Sequence, residues 1–562
     1  MGTVWFMKRT IAEQLVLEAS AMPNLTERGL QKIRHRYSKE HGIAVLHNIE
    51  LLEAYRTLVA EGILQPHPAF FALIQKRKVR SLSGIVPVSL FLRDEGCPGA
   101  CIFCPTEKNM PKSYLSGEPG MQRAVLNNFD PFKQMHNRLR ALEATGHQVE
   151  KVELIIQGGT FSAYPKHYQS SFLRSAFNAM NSFSEAKKTF ALAPKEQFKF
   201  VKFRAGDEAS LPHERKLSDA QKRNETAEVR CVGLTLETRP DWVNKKELRR
   251  LRHLGATRLE IGVQHTHDDV LRKNRRGHFV RQVIDATRLM KDAGFKFTYH
   301  MMPGLYGSTF LKDVAMFEDI LTKPEFQPDQ IKFYPCVVTD FSVLTKLWRE
   351  GTFTPMQDED FIKLACVVKP MIPEWMRVVR LVRDIPSTDI LAGTKTSNLR
   401  QVIDEEMKRR GLVCRCIRCR EVRAQTGGDS EPELLVRAYA ASEGKEYFIS
   451  FEDKVQDTLF SFLRLRIPSQ YFERKRHWIR VLDGAALVRE VHTYGVQRGV
   501  GEESDGAAQH RGLGRQMLSK AEEIAASYGL RKIAVIAGIG VREYFRTNGY
   551  TLEGDYMVKH LS

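Results

Sequence analysis

No stretch of about 18 consecutive apolar residues occurs in the 562-residue chain, which excludes a bilayer-spanning helix. The N-terminal segment is interrupted by Glu13 and Glu18 and lacks the unbroken apolar core of an export signal. Cysteine is scarce and uneven. Of nine cysteines, six fall into two tight clusters, Cys97/Cys101/Cys104 and Cys414/Cys416/Cys419. That distribution argues against a disulfide framework and for metal ligation in a reducing compartment, which places the chain in the cytoplasm. Cys231 and Cys366 sit among apolar residues and read as core. Long internal repeats and low-complexity tracts are also missing. Acidic residues run short, 67 against 86 basic, for a formal net charge of +19. Such an excess favours a polyanionic partner through phosphate contacts, nucleic acid ahead of a membrane surface.

What is present is a folded chain of three or four domains, 42% hydrophobic. Residues 1–80 read as helical, with apolar spacing at Ile49, Leu52, Tyr55 and Leu58, and end in the basic run Lys76, Arg77, Lys78, Val79, Arg80. From about residue 84, short apolar runs alternate with amphipathic stretches. The expected strands are Ile85–Leu92, Val152–Gln157, Val232–Glu237, Arg258–Val263, Phe295–Met301, Ile331–Tyr334 and Val378–Val382. That alternation predicts α/β units on a largely parallel sheet over residues 81–400, with chemistry at the strands' C-terminal ends. Gln157, Glu237, Gln264 and His300 end such strands and are expected to share one site. Residues 401–425, arginine-dense and carrying the second cysteine cluster, read as a joint. Antiparallel strands and a glycine-started helix follow over 426–562.

Three motifs carry chemistry. Cys97-Pro-Gly-Ala-Cys101-Ile-Phe-Cys104 follows the first expected strand, and three thiolates can hold three irons of a [4Fe–4S] cluster, leaving the fourth open. A zinc site lacking one ligand is the plainer alternative. Gln157-Gly158-Gly159-Thr160 ends the second strand, either as a ligand cradle or as an ordinary turn. Gln509-His-Arg-Gly512-Leu-Gly514 opens a helix whose N–H groups can bind a pyrophosphate, or is a simple helix start. Cys414, Cys416 and Cys419 offer three ligands to a structural Zn²⁺, with Cys336 or a distant histidine as the candidate fourth. The basic runs 76–80, 272–276 and 408–423 are solvated faces or phosphate contacts.

The cysteine loop resembles the radical S-adenosylmethionine superfamily, and the Gln509 loop resembles the coenzyme A loop of GNAT acetyltransferases. Together with Glu237-Thr-Arg-Pro240, Glu260-Ile-Gly-Val-Gln264, Arg383-Asp-Ile-Pro386 and Asn548-Gly-Tyr550, they make the chain similar to one family from about residue 75 onward. That family is the catalytic subunit of Elongator, the tRNA uridine(34) acetyltransferases, in its stand-alone prokaryotic form. The resemblance implies a radical S-adenosylmethionine partial barrel fused to a GNAT-type α+β domain, behind a basic helical tRNA-binding region. It implies that S-adenosylmethionine is cleaved to a radical that takes hydrogen from the acetyl-CoA methyl. Attack on C5 of wobble uridine and thioester hydrolysis would then leave 5-carboxymethyluridine.

By the same resemblance, Cys97, Cys101 and Cys104 hold the cluster, and Gln157, Gly158, Gly159 and Glu237 contact S-adenosylmethionine. Thr160 replaces the acidic residue usual after the glycine pair, so backbone carbonyls inherit that contact. Acetyl-CoA falls to Lys151, Arg489, Glu490, Val491, His492, Gly512, Leu513, Gly514 and Tyr544, with Lys151 and Tyr544 as catalytic candidates. Phosphates of the tRNA anticodon stem-loop fall to Lys76, Arg77, Lys78, Arg80, Arg272, Lys273, Arg275 and Arg276. An electron donor is a further implied partner, a membrane is not, and a homodimer is admitted. A protein lysine acetyltransferase is the runner-up, needing only the C-terminal domain, and a tRNA-binding scaffold is a third class. If the 76–80 run binds phosphates, Arg77→Glu with Lys78→Glu weakens tRNA binding. It also flattens the salt dependence by roughly one slope unit for each phosphate no longer neutralised, and unchanged affinity at two salt concentrations would mark the run as a solvated face.

Overall fold

The computed structural model describes residues 9–75, 84–190, 201–204, 206–422, 431–494 and 512–561. The basic run 76–80 and the Gln509 end of the glycine loop lie outside them. Seven parallel strands form one sheet in chain order: β1 (Ile85–Phe91), β2 (Lys151–Gln157), β3 (Arg230–Thr238), β4 (Arg258–Gln264), β5 (Lys296–Met301), β6 (Gln330–Phe333) and β7 (Arg377–Arg380). All seven expected strands are present, each with helical chain between it and the next.

Side chains alternate across each strand. Val152, Leu154 and Ile156 of β2, Leu259 and Ile261 of β4, Phe297 and Tyr299 of β5, and Ile331 and Phe333 of β6 enter the main apolar core with the covering helices. Most of the intervening positions, Ile155 and Gly262 aside, are polar, and several meet one another on the inner face. Glu153 bonds Arg258 at 2.6 Å, Arg258 lies 3.7 Å from Glu260, and Thr298 donates to Gln330 at 2.9 Å.

Four helices, Ile11–Ser20, Glu27–His41, Asn48–Ala60 and Pro68–Ile74, enclose a small core of their own. Arg56 donates to the carbonyl of Glu143 at 2.8 Å, and Gln75 to that of Gly146 at 2.9 Å, docking this bundle on the barrel's helical layer. The expected boundary at 400/401 falls inside the helix Leu399–Arg409. Its Leu399, Ile403 and Met407 pack in the barrel core, so that helix belongs with the preceding sheet. Cys414 and Cys416 also border the barrel core, whereas Ile417 and Val422 enter the C-terminal one.

The C-terminal sheet runs β8 (Glu433–Ala441), β9 (Gly444–Asp453), β10 (Thr458–Ile467), β11 (Ala485–Thr493), β12 (Lys532–Val535), β14 (Tyr556–His560), β13 (Thr551–Glu553), antiparallel except for β11 with β12. The last hairpin, β13–β14, was not among the expected strands. No helix among the described residues is long and apolar enough to cross a membrane.

This sheet closes the end of the barrel where its strands begin. Tyr556 donates to Ala293 O at 2.8 Å, Arg464 to Trp375 O at 2.6 Å, and Arg252 to Ala537 O at 2.8 Å. Between the domains lies a buried ion network. Arg489 grips Asp329 (2.9 and 2.5 Å) and Glu446 (2.9 Å), Arg466 bonds Asp292 and Glu446, and Glu490 takes Arg464 and Lys296. Lys291 stands 3.7 Å from Glu446 with no hydrogen bond to its ammonium, and burial pulls its pKa down to about 7.

Breaking one partner of such a network leaves an uncompensated buried charge, so Asp329→Asn should cost about 3–5 kcal/mol. Lys291→Met removes only an unbonded ammonium and should be tolerated. A lysine whose folded pKa lies below its unfolded value leaves the unfolded chain holding the extra proton. Its penalty is therefore full below about pH 7 and fades as pH rises toward the usual lysine range. Unfolding midpoints at pH 7 and pH 9.5 should show Lys291→Met gaining more on wild type at the lower pH than at the higher. An Asp329→Asn midpoint equal to wild type would refute the network's role.

Candidate active site

The loop after β1 carries the three cysteines at the strands' C-terminal ends. It is stitched to its surroundings by main-chain bonds from Ile102 to Asn274 O (3.3 Å), Leu344 to Ile102 O (3.1 Å) and Thr106 to Phe341 O (2.9 Å). Cys101 is buried, and Cys97 and Cys104 are half-exposed. The Cys101 thiol is pulled down to about 5 by its hydrogen bond to Cys104, against burial and aided by Arg276. Cys104 is correspondingly raised. Cys414, Cys416 and Cys419 gather within 4.8 Å of one another, the spacing for one shared ion, with Cys416 and Cys419 sulfurs 3.6 Å apart. Cys336 does not join the second trio as its fourth ligand: it is buried beside Cys101 and Val338.

Gly158 and Gly159 sit at φ +136° and +92°. A Cβ on Gly158 would lie 2.8 Å from that of Leu92, so both conformation and packing demand glycine there. The turn lies beside the cysteines, Thr160 Oγ1 being 4.0 Å from Cys97 Sγ. Of the carbonyls expected to bind ligand, Gln157 O already accepts from Leu92 N, Gly158 O from Tyr164, and Thr160 O from Ala163 N.

Glu237 ends β3 and accepts from Tyr114 at 2.9 Å; burial pushes the Tyr114 hydroxyl up. Arg383 lies over the Tyr114 ring at 4.5 Å and bonds Glu118 at 2.8 Å, fixing the loop between them. Glu237, Glu260 and His300 come within 4.8 Å, bearing out the shared site for Glu237 and His300. His300 bonds Glu260 at 2.9 Å, and the Lys332 ammonium also bonds Glu260, supplying the cation that this acidic pair needs. Glu260, Lys332 and Arg258 were missed; their every-second-residue placement opposite the apolar positions was the available signal.

At the other end of the barrel, Gly512 caps the helix Leu513–Ser527 at φ +67°. A Cβ on Gly514 would stand 2.7 Å from the Tyr544 hydroxyl, so glycine loop and tyrosine meet. Tyr544 is 43% exposed, and burial of the rest raises its pKa. Its segment is pressed on the start of β3: a Cβ on Gly538 would meet Val232 O at 2.1 Å, and Arg542 and Arg546 bond Glu225 at 2.9 and 2.7 Å. Lys151 pairs in register with Arg230 on that strand and is half-buried, its pKa lowered by burial and then by Arg230.

Five expected coenzyme contacts change character. The side chains of Arg489 and Glu490 are committed to the domain interface, leaving only their main chain to face a coenzyme. A bulge opposite Arg464/Leu465 turns both inward. Val491 packs on the C-terminal core and Leu513 is buried in it. His492 lies tilted against Tyr494 (4.3 Å between ring centres), and burial lowers its pKa to about 4. In the 272–276 run, Arg272, Lys273 and Arg275 are exposed, but Arg276 is 4% exposed and donates to Cys101 Sγ at 3.1 Å. It is therefore no surface phosphate contact. Lys151 and Gln157 lie at opposite ends of seven-residue β2, roughly 20 Å apart, so the two candidate sites stand at opposite ends of the barrel.

Two family models match, the Radical SAM superfamily over residues 94–319 and the Radical_SAM C-terminal domain over 328–409. A tRNA uridine(34) acetyltransferase of Methanocaldococcus infernus is 38% identical over 571 residues, covering 99% of each chain. Elongator complex protein 3 of Homo sapiens is 35% identical over 504 residues, 87% of this chain and 86% of the other. The solved archaeal Methanocaldococcus infernus Elp3 with N-terminus deletion (1-46) is similar with TM-score 0.70 at 36% identity, covering 85% of this chain and 100% of that one.

Gly158→Ala should strain the turn by about 1–3 kcal/mol and displace Leu92 from its seat beside the cysteine loop. Iron retained after anaerobic reconstitution and thermal unfolding both report it, and full iron content with an unchanged midpoint would show that the turn tolerates a side chain.

Proposed function

This chain belongs to the family of the tRNA uridine(34) acetyltransferases and Elongator complex protein 3, and on that premise we propose that it forms 5-carboxymethyluridine at wobble uridine 34 of tRNA from acetyl-CoA and S-adenosylmethionine. The observation that carries the reading is a barrel with a three-cysteine loop at one end and, docked on the other, a domain presenting the Gly512–Gly514 helix start beneath Tyr544. Cys97, Cys101 and Cys104 would hold the [4Fe–4S] cluster. Bound there, the cluster supplies the electron that cleaves S-adenosylmethionine to a radical able to take hydrogen from the acetyl methyl.

The chain's own residues position and shield. Gly158 and Gly159 let backbone approach the ligand, and Glu237, held by Tyr114, presents a fixed carboxylate beside the same mouth. The Leu513–Ser527 N-terminus offers its first N–H groups to the coenzyme's pyrophosphate, with Lys151 and Tyr544 at the same end of the barrel and the pantetheine arm left to carry the acetyl group toward the cysteine end. Zn²⁺ on Cys414, Cys416 and Cys419 would brace the point where the barrel core hands over to the C-terminal core. Exposed Arg272, Lys273 and Arg275 follow the C-terminal end of β4 and suit the tRNA backbone. Exposed Phe341, tied to the cysteine loop, offers a stacking face for a splayed base. A one-electron donor reaches the half-exposed Cys97 and Cys104 at this mouth, and the cytoplasm is where reduced thiols, tRNA and acetyl-CoA coincide.

Anaerobically reconstituted protein incubated with a one-electron reductant, S-adenosylmethionine, acetyl-CoA and unmodified tRNA should yield 5-carboxymethyluridine by mass spectrometry of wobble nucleosides. Cys101→Ser should abolish it and still bind tRNA, because a hydroxyl is a poor ligand for cluster iron. Tyr544→Phe should keep tRNA binding and lose tRNA-stimulated release of CoA. Undiminished modification by Cys101→Ser would overturn the assignment.

A further inference from the structure

Arg276 was expected on the surface with its basic neighbours and is instead buried against the cysteine loop. Its guanidinium donates through Nη1 to Cys101 Sγ at 3.1 Å and through Nη2 to Gly262 O at 2.5 Å, and lies over the Phe103 ring at 5.8 Å. No carboxylate among the described residues pairs with it, and its Nε has no partner. A second arginine holds it in place. Arg239, 7% exposed, is clamped by Asp241 (2.9 and 3.0 Å) and donates through Nη2 to the Arg276 carbonyl at 2.6 Å. The Nη1 of Arg239 is buried without a partner and faces the cysteine loop so closely that a Cβ on Gly99 would lie 2.2 Å away. Gly99 between Cys97 and Cys101 thus has a physical reason. A further neighbour, His278, is 1% exposed, and burial drives its pKa down to about 2, so it stays neutral and adds no further positive charge.

An uncompensated buried guanidinium costs several kcal/mol unless an anion answers it. Asp241 neutralises Arg239, so the charge of Arg276 is left for the thiolates. Resting on the cluster assignment above, we propose that Arg276, buttressed by Arg239, is a positioning residue that raises the cluster's reduction potential through a charge-assisted hydrogen bond to the Cys101 thiolate. Adding an electron makes the thiolate-bound cluster more negative, and a fixed cation with a donor on one of its sulfurs favours that state. A low cluster potential limits how much of the protein any donor can reduce, so this arginine widens the range of usable donors.

The test is an EPR-monitored redox titration of the reconstituted full-length protein without S-adenosylmethionine, with iron and sulfide counted in parallel. Arg276→Met should move the midpoint to more negative potential, lowering the ratio of reduced to oxidised cluster at the wild-type midpoint about tenfold, the value of one hydrogen bond to a charged group. Arg276→Lys should recover part of the shift, which a merely structural role would not produce. Exposed Arg275→Met should leave the midpoint in place. A wild-type midpoint in Arg276→Met overturns the proposal, as does an equal shift from Arg275→Met. Should Arg276→Met load too little iron to titrate, Arg276→Lys and Arg276→Gln decide, with wild-type midpoints in both overturning it. A wild-type protein that assembles no four-iron cluster sinks the cluster assignment itself, and the proposal with it.

Discussion

The grip of Arg489 on Asp329 is the constraint on which the arrangement rests. Asp329 precedes β6 of the barrel, and Arg489 lies in β11 of the C-terminal sheet, so one ion pair sets the seating of one domain on the other. Around it four carboxylates, Asp292, Asp329, Glu446 and Glu490, meet Lys291, Lys296, Arg464, Arg466 and Arg489. Buried networks of this kind add little net stability over a well-packed apolar contact, yet they punish misalignment heavily. An apolar seam could slide; this one cannot without stranding a charge. The price of that specificity is the unbonded ammonium of Lys291.

The seating gives the barrel a direction. Helix start and tyrosine stand where the strands begin, and cysteines with the Gly158–Gly159 turn stand where they end. Between them runs the charged inner face of Glu153, Arg258, Glu260, Lys332 and His300. The order follows from parallel strands: each one carries its first residue to the docked domain and its last to the cysteine loop.

The strands were legible because their apolar residues recur at every second position and stop at glycine or polar residues, as in Lys151–Gln157 before Gly158. The cysteine loop and the glycine turn were legible as spacing, whereas Tyr544 was singled out only through the family resemblance. What was not legible is which charges go inside. Arg276 looks like Arg275 in sequence, and only the fold of the segment after β4 turns one inward and the other out. Arg489 likewise reads as part of a ligand-binding strand until the bulge in β11 aims it at Asp329. The boundary near 400 was misplaced because arginine density marks a surface, whereas Leu399, Ile403 and Met407 decide which core owns the helix.

The inner face described above also decides where water can be tolerated. A lining of Glu153, Arg258, Glu260 and Lys332 holds hydration that an aliphatic lining would expel. A carbon-centred radical is indifferent to such water, because the O–H bond is stronger than the C–H bond it would form. A thioester is not indifferent, since water is the reagent that destroys it. The charged lining therefore suits a radical step better than it suits the storage of a thioester, which a water-holding face does not protect.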